Sequence, residues 1–355
     1  MAQIYTLKVS DVVQNTHDTS TITFEIPTHL NSVFDYEPGQ YLTLEFNING
    51  KKERRAYSMS SSPLTEAQPS VTVKRFQGGL VSNHINDNVK TGSEISVLPP
   101  FGNFVPQLNP ENNKHYFLFS AGSGITPIIS ILKTVLSFEK NSKVSLLYGN
   151  RCEKDIIFHQ ELINLVTEHK DRLNVSFTLS QSADEWNGES GRVDARKVKD
   201  FIFKHGENDL AKEYFICGPA GLIETTEQTI LSLGINASFV HREYFILPKK
   251  ETEAAVTEAI EAAGDQTIKL ILDNEEFDVE VSADTNILEA ALEKDIDAPF
   301  SCMAAACATC RAKVLRGTVI MDDREMLSDE EIADGYVLTC QAHPTSDDVI
   351  ISYDE

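Results

Sequence analysis

The segment Cys302-Met-Ala-Ala-Ala-Cys307-Ala-Thr-Cys310, with Cys340 after a further 29 residues, constrains this chain more than any other feature. C-x4-C-x2-C followed by one distant cysteine is the spacing of plant-type [2Fe–2S] sites. Four thiolates must converge on two irons, so one tight loop has to supply three of them. A zinc site presents two separated C-x2-C pairs or Cys/His pairs instead. Here a single C-x2-C is preceded by a third thiol and the fourth stands alone, which favours Cys302, Cys307, Cys310 and Cys340 as iron ligands. Cys152 and Cys217 lie far from the motif and are not expected to join it. Six cysteines are too few for a disulfide scaffold of this length, so a reducing, cytoplasmic compartment is expected.

A chain of 355 residues is long enough for two or three domains, each with its own core. Its formal charge of −23 argues against a nucleic-acid binder, which needs a basic face. The charge is uneven. Residues 248–355 hold 26 acids and 8 bases, a net of −18, which leaves the other 247 residues at −5. An acidic C-terminal module on a nearly balanced body suggests a docking face for a basic partner. The alternative is a solvated acidic surface that aids solubility. Met1–Asp11 lacks the order of a signal peptide, and the most apolar window, 115–136, is broken by Gly122, Gly124 and Pro127, so no membrane span is expected.

The first hundred residues read as short strands with turn punctuation: 4–9, 21–26, 41–46, 55–59, 71–76 and 94–98. Asn49-Gly50 between two of them is a hairpin signal. This pattern predicts a small antiparallel barrel. From His115 the rhythm becomes strand, helix, strand, with strands at 115–119, 144–148, 175–179, 214–217 and 238–244. Helices are expected at 127–138, 156–168, near 195–204, and at 222–233. That order predicts a parallel sheet covered by helices on both faces. Residues 248–266 are rich in Ala and Glu between Pro248 and Gly264 and read as a linker whose middle could be helical, spanning roughly 25 Å. The last stretch opens with strands 267–272 and 277–281 turned at 273–276. A helix at 286–294, the cysteine loop, and strands 311–315 and 349–352 follow.

Three motifs carry chemistry beyond the cysteines. Ala121-Gly122-Ser123-Gly124-Ile125-Thr126-Pro127 follows a strand and opens a helix, whose free N–H groups attract a phosphate. Pro127 suits the first helical position, where its missing donor costs nothing. A purely structural βα turn is the alternative for G-x-G alone. The next strand ends Tyr148-Gly149-Asn150-Arg151, with no acid for an NAD ribose but an arginine suited to a 2′-phosphate. Arg55-Ala56-Tyr57-Ser58 offers a cation, an aromatic face and a hydroxyl, and Gly78-Gly79-Leu80-Val81-Ser82 a second glycine turn into a helix.

These motifs together resemble the ferredoxin–NADP reductase superfamily, and specifically members with a C-terminal plant-type ferredoxin domain. Such members include reductase components of the phenylacetyl-CoA epoxygenase type and of ketosteroid hydroxylases. The resemblance covers essentially the whole chain. It implies an FAD-binding β-barrel at 1–107, an NAD(P)-binding α/β domain at 108–247 and an α+β β-grasp ferredoxin domain at 267–355. It assigns Arg55 to the flavin pyrophosphate, Tyr57 to the ring face and Ser58 to the neighbourhood of N5, with Ala56 between them. Val73, Lys74 and Arg75 would line the ring, and Gly79, Leu80, Val81 and Ser82 the pyrophosphate. Pro100–Phe104 matches the segment that closes the flavin domain. Gly122, Gly124, Thr126 and Pro127 match the dinucleotide turn, and Cys217-Gly218-Pro219 the signature beside the nicotinamide. Glu243-Tyr244-Phe245 matches that domain's acidic-aromatic end, where Phe245 would shield the flavin. Ser58, Cys217, Glu243 and Phe245 are thus the expected catalytic set.

Two departures bear on this assignment. The family's cluster loop usually has Gly where this chain has Ala305, so the backbone there is expected to differ locally. NADPH-using relatives often carry Ser-Arg after the 175–179 strand, whereas this chain has Ser180-Gln181. The coenzyme, NADH or NADPH, stays open between Asn150-Arg151 and Ser180-Gln181. His84, His159, His241 and His343 get no catalytic role, and Trp186 is expected to anchor a loop.

What the resemblance implies is an NAD(P)H-dependent reductase holding FAD and a [2Fe–2S] cluster, passing electrons to a terminal oxygenase or hydroxylase. A nicotinamide gives two electrons together and a cluster takes one at a time, so a flavin must stand between them. Two alternatives remain: an FMN-containing reductase of the phthalate dioxygenase type, and a redox-sensing or regulatory component without steady turnover.

Overall fold

A computed structural model describes residues 3–206, 210–245, 254–300, 303, 305, 308–324 and 326–355. The chain divides into two compact units, Gln3–Phe245 and Ile246–Glu355.

The first unit begins with β1 (Tyr5–Thr16), β2 (Thr19–Glu25), β3 (Tyr41–Ile48), β4 (Lys51–Ser58), β5 (Ser70–Lys74), α1 (Leu80–Asn88) and β6 (Glu94–Phe101). The six strands pair antiparallel in the order β4-β3-β6-β1-β2-β5. A bridge between Met59 and Val71 links the two edge strands at one point and closes the barrel there. Period-2 alternation selects the inward face: Leu42, Leu44, Phe46 and Ile48 of β3 enter the core with Leu7, Val9, Ile22 and Phe24. Asn49 and Gly50 both have positive φ and connect Ile48 to Lys51 in a two-residue loop, as the hairpin signal predicts.

Next come β7 (Lys114–Ala121), α2 (Ile125–Phe138), β8 (Lys143–Asn150), α3 (His159–Glu168), β9 (Leu173–Leu179) and β10 (Glu189–Ser190). They are followed by α4 (Ala195–Gly206), β11 (Ala211–Cys217), α5 (Ala220–Ser232) and β12 (Val240–Glu243). The parallel sheet runs β10-β9-β8-β7-β11-β12, so the chain reverses its direction of travel between β7 and β11. The apolar run of β7 divides between the two faces: Tyr116 and Leu118 pack with α2, Phe117 and Phe119 with Val198, Phe201 and Ile223 of α4 and α5. Helix α2 is buried nearly all round because it has two neighbours. Its isoleucines are buried, and Ile131 lies against Gly39 of the barrel. Ser130 donates to the carbonyl of Ser61 at 2.6 Å and Thr134 to the Ser62 hydroxyl at 2.9 Å, tying the barrel to the sheet.

Some boundaries differ from the expectations. Pro127 is the third residue of α2, not the first, which costs nothing because the first turn's N–H groups lack intrahelical acceptors anyway. Helix α3 starts at His159 rather than Ile156, since Ile156 and Ile157 are buried outside the helix and Phe158 has φ +61°. Strand β12 is shortened by a 3-10 turn at Ala237–Phe239, capped by the Asn236 side chain.

The second unit holds α6 (Ala254–Ala263), inside the segment read as a linker, then β13 (Gln266–Leu272), β14 (Glu275–Val281) and α7 (Ile287–Glu293). It continues with β15 (Arg311–Arg316), β16 (Val319–Met321), α8 (Asp329–Ala333), β17 (Tyr336–Leu338), β18 (Ala342–Pro344) and β19 (Ile350–Ser352). The order β14-β13-β19-β15-β17, with β13 and β19 parallel, is a β-grasp sheet, and α7 packs against it. The turn before β14 is confined to Asp273 and Asn274, both at positive φ, so it is shorter than the expected 273–276. Asn286 and Glu289 form a reciprocal capping box at the start of α7. No described helix is long and apolar enough to cross a membrane.

Candidate active site

Residues remote in sequence meet at the C-terminal ends of the parallel strands. Register places Ser120 of β7 beside Cys217 of β11, and Cys217 beside Glu243 of β12. The row therefore crosses the point where strand order reverses, which is where open parallel sheets bind ligands. The barrel reaches the same place, because the Ser58 hydroxyl donates to Glu243 Oε2 at 3.3 Å. Three of the four expected catalytic residues thus come together, and Phe245 follows two residues later with an exposed ring.

The electrostatics of this row are unusual. Burial pushes the Glu243 carboxyl up to about 8, against the opposing Ser58 hydrogen bond, so it carries a proton at neutral pH. Burial, with Glu243 beside it, also raises the Cys217 thiol well above its ordinary value. Cys217 is therefore a neutral thiol and no nucleophile.

Two glycines let the neighbouring loops close on this row. A Cβ on Gly124 would lie 2.2 Å from the carbonyl oxygen of Cys217, and one on Gly218 would lie 2.7 Å from Leu222. Gly122, at φ +56°, borders open space instead, and its carbonyl accepts from the Tyr148 hydroxyl at 2.9 Å. The N-terminus of α2 has no side-chain cap. Thr126 turns its hydroxyl onto the carbonyl of Ser123 at 3.1 Å, and the Ile125 N–H donates to the carbonyls of Gly122 and Ser123, which together shape the turn. Pro219 sits just before α5 and starts it. These features fit a dinucleotide phosphate. Asn150 is 9% exposed and neither amide atom completes a hydrogen bond, although the Tyr148 hydroxyl lies close by. Arg151 is ion-paired to Asp155 and Asp18. Ser180 and Gln181 donate backbone N–H groups to the carbonyls of Asn150 and Arg151 at 2.9 and 2.7 Å, so they brace the end of β8.

On the barrel, Ser58 is buried, while Arg55, Ala56 and Tyr57 are half-buried. Burial, only partly offset by the Arg55 charge, pushes the Tyr57 hydroxyl up and keeps it neutral. Arg55 pairs with Glu53 at 3.2 Å and donates to the carbonyl of Arg54, in a partly exposed position from which it can turn to a phosphate. Gly79 caps α1 without a side chain, leaving the N–H groups of Leu80, Val81 and Ser82 at an open helix start. The Ser82 hydroxyl accepts from the N–H of Phe76 at 3.1 Å, which holds the turn. That uncapped start fits a flavin pyrophosphate. The side chains of Val73 and Val81 point into the barrel core, so only their backbones border the surface. Lys74 and Arg75 are held by Asp18 at 3.5 Å and Asp87 at 2.6 Å.

In the second unit Cys310 and Cys340 are 2% and 3% exposed. Cys302 and Cys307 lie outside the described residues. Thr339 donates both its N–H and its hydroxyl to the carbonyl of Cys310, at 3.1 and 3.0 Å, and receives the Tyr353 hydroxyl at 2.8 Å. Gln341 Nε2 lies 3.7 Å from the Cys340 sulfur. Two buried cysteines tied through Thr339, one with an amide donor near its sulfur, fit an iron–sulfur site. Ala305 takes the left-handed conformation at φ +50°, as do Met303 and Ala308 at φ +54° and +50°. The loop therefore adopts a backbone that glycine favours without having one.

Sequence reasoning missed Asp18, Asp155, Thr339 and Tyr353, which belong to no motif, and gave Tyr148, just before Gly149 at the end of β8, no role. Trp186 anchors its loop through Nε1 to the carbonyl of Glu189 at 3.0 Å. The four histidines stay out of the site row: His84 packs on Phe46, His159 on Phe177 and His241 on Phe215, and His343 pairs with Asp322.

Comparison with known proteins agrees with this geometry. Residues 6–105 match the Oxidoreductase FAD-binding domain, residues 118–228 the Oxidoreductase NAD-binding domain and residues 270–345 the 2Fe-2S iron-sulfur cluster binding domain. The chain is 35% identical to one of the subunits of 1,2-phenylacetyl-CoA epoxidase from Escherichia coli K12, covering 100% of this chain and 99% of that one. It is 36% identical to the ferredoxin reductase component of 3-ketosteroid-9-alpha-monooxygenase from Rhodococcus rhodochrous, over 98% and 96% of the two chains. The solved structure of phthalate dioxygenase reductase shares the fold, with a TM-score of 0.65 at 21% identity over 98% of each chain. The chain belongs to the ferredoxin–NADP reductase superfamily, among the oxygenase reductase components that join FAD-binding, NAD-binding and [2Fe–2S] domains in one polypeptide.

Proposed function

We propose that this chain draws electrons from NAD(P)H and passes them, through FAD and the [2Fe–2S] site, to a terminal oxygenase or hydroxylase component. The observation that carries the reading is the hydrogen bond from Ser58 to Glu243 beside Cys217, which joins the flavin barrel to the coenzyme crevice. When bound, the flavin takes a hydride from the nicotinamide and releases its electrons singly. The residues of this chain position and protect that exchange. Arg55 and the open start of α1 hold the flavin pyrophosphate, and Tyr57 covers its ring. Gly122 and Gly124, with the uncapped start of α2, hold the coenzyme phosphate. Cys217 supplies a neutral wall, and Gly218 and Pro219 bring the loop close. Glu243 holds a proton at neutral pH and receives the Ser58 hydroxyl, which keeps this buried edge uncharged and fixes the Ser58 side chain. Phe245 shields the ring face until the nicotinamide takes its place. Cys302, Cys307, Cys310 and Cys340 ligate the irons.

A merely regulatory component would not need the Ser58–Glu243 pair or the close approach of Gly124 to Cys217. A reducing, cytoplasmic setting suits four cysteine thiolates that ligate iron. The test uses the flavin-loaded protein. NAD(P)H should drive ferricyanide reduction in the wild type. Cys340→Ser should keep that reaction but lose most cytochrome c reduction, which takes electrons from the cluster. Wild-type protein that is loaded but inactive with both coenzymes would sink the proposal.

A further inference from the structure

We propose that the coenzyme site selects NADH over NADPH, because Asp18 and Asp155 already hold the guanidinium of Arg151 at the end of β8. The inference rests on the reading that the crevice binds a nicotinamide coenzyme.

In a sheet with this strand order the adenosine ribose sits at the end of the second strand. That strand is β8, which ends at Asn150 with Arg151 next. By residue type alone Arg151 suits a 2′-phosphate. Its surroundings say otherwise. Arg151 Nε donates to Asp155 Oδ2 at 2.9 Å, and Nη2 lies 3.6 Å from Asp18 Oδ2. Neither carboxylate is free to turn away. Asp155 is buried in the 3-10 turn Glu153–Asp155, with its other oxygen 3.7 Å from His17 Nδ1. Asp18, on the β1–β2 turn, accepts from the hydroxyls of Thr16 and Thr19 at 2.8 and 3.0 Å and lies 3.5 Å from Lys74 Nζ. Burial opposes its ionisation, but the hydroxyls and Lys74 outweigh burial and hold the carboxyl below its ordinary range. Arg151 and Lys74 are therefore already matched by the carboxylates of Asp18 and Asp155. A 2′-phosphate brings about two more negative charges, and would have to displace Asp18, which the barrel's first hairpin fixes, and the buried Asp155.

The neighbouring segment offers no substitute. Ser180 and Gln181 use their N–H groups on β8 carbonyls, and the exposed Asp184 and Glu185 follow.

The experiment measures kcat/KM for NADH and NADPH with flavin-loaded full-length protein and ferricyanide, and Kd for NAD+ and NADP+ by titration calorimetry. NADH and NAD+ should be favoured at least tenfold in the two measurements. Asp18→Asn and Asp155→Asn, which loosen Arg151 from opposite sides, should each shrink both ratios at least threefold, mainly by improving the phosphorylated coenzyme. Asp18 lies on a surface turn, so its variant keeps the test alive if the Asp155 variant fails to fold. Parity or an NADPH preference in the wild type overturns the proposal, as do ratios that the foldable variants leave unchanged. Protein that neither binds nor oxidises either coenzyme rejects the reductase reading itself.

Discussion

Glu243 shows how little of a residue's chemistry is in its identity. A glutamate two positions before a terminal aromatic would ordinarily ionise near 4.5, yet burial among Cys217 and the barrel raises it to about 8. The consequence for stability has a definite sign. The folded state holds this proton more tightly than the unfolded chain, so the contribution is fully present below about 4.5 and is lost as pH rises towards 8. Glu243→Gln should therefore match wild type at pH 5. At pH 8.5 it should be more stable, by about 1–3 kcal/mol, because the half-buried carboxyl keeps some solvent. Urea denaturation of the flavin-loaded protein at the two pH values checks this, and equal differences at both would refute the burial argument. Arg151 teaches the same lesson in reverse: the residue type suggests a phosphate, and Asp18 and Asp155 decide otherwise.

At the scale of elements, glycines with similar sequence surroundings do different jobs. Gly50 has φ +81° and nothing near its missing Cβ, so Gly50→Ala strains only the β3–β4 turn. It should cost about 1 kcal/mol of stability and leave coenzyme kinetics alone. Gly124 has helical φ and ψ, but its missing Cβ would overlap the Cys217 carbonyl. Gly124→Ala must push the β11 loop away and should lower kcat/KM for coenzyme by at least a hundredfold, with the flavin still bound. Steady-state kinetics and denaturation of the pair separate the two roles. Helix α2 repeats the contrast. Its apolar periodicity made it legible as a helix, but the use of Ser130 and Thr134 against Ser61 and Ser62 was invisible, because hydroxyls on a helix carry no address.

For the molecule as a whole, charge is the property that should govern its partner. The acids are concentrated in residues 248–355, and α8 opens with Asp329, Glu330 and Glu331 in its first turn. We expect this unit to dock on a basic patch of the electron acceptor. Transfer to that partner should fall steeply between about 50 and 300 mM salt, while ferricyanide reduction changes little. Stopped-flow reduction of the partner over this range is the check, and a flat response would leave the acids a solubility role only.

The order of three domains, the cysteine spacing, the two glycine turns and most of the long strands and helices could be read along the chain, whereas the short β10, β16, β17, β18 and α8 could not. Periodicity, turn chemistry and ligand spacing are local, and local physics is written in local sequence. Even there the ends moved: Pro127 sits two positions deeper in α2 than expected, and α3 waits for His159, because neighbouring packing sets where a helix begins. What only the tertiary structure decided was which distant groups share a site. Ser58, Cys217 and Glu243 meet through strand register and barrel closure. Asp18 reaches Arg151 because the barrel's first hairpin folds back on the end of β8, where the local turn already supplies Asp155. Electrostatic character depends on distance through space and on burial, and neither is a property of position along the chain.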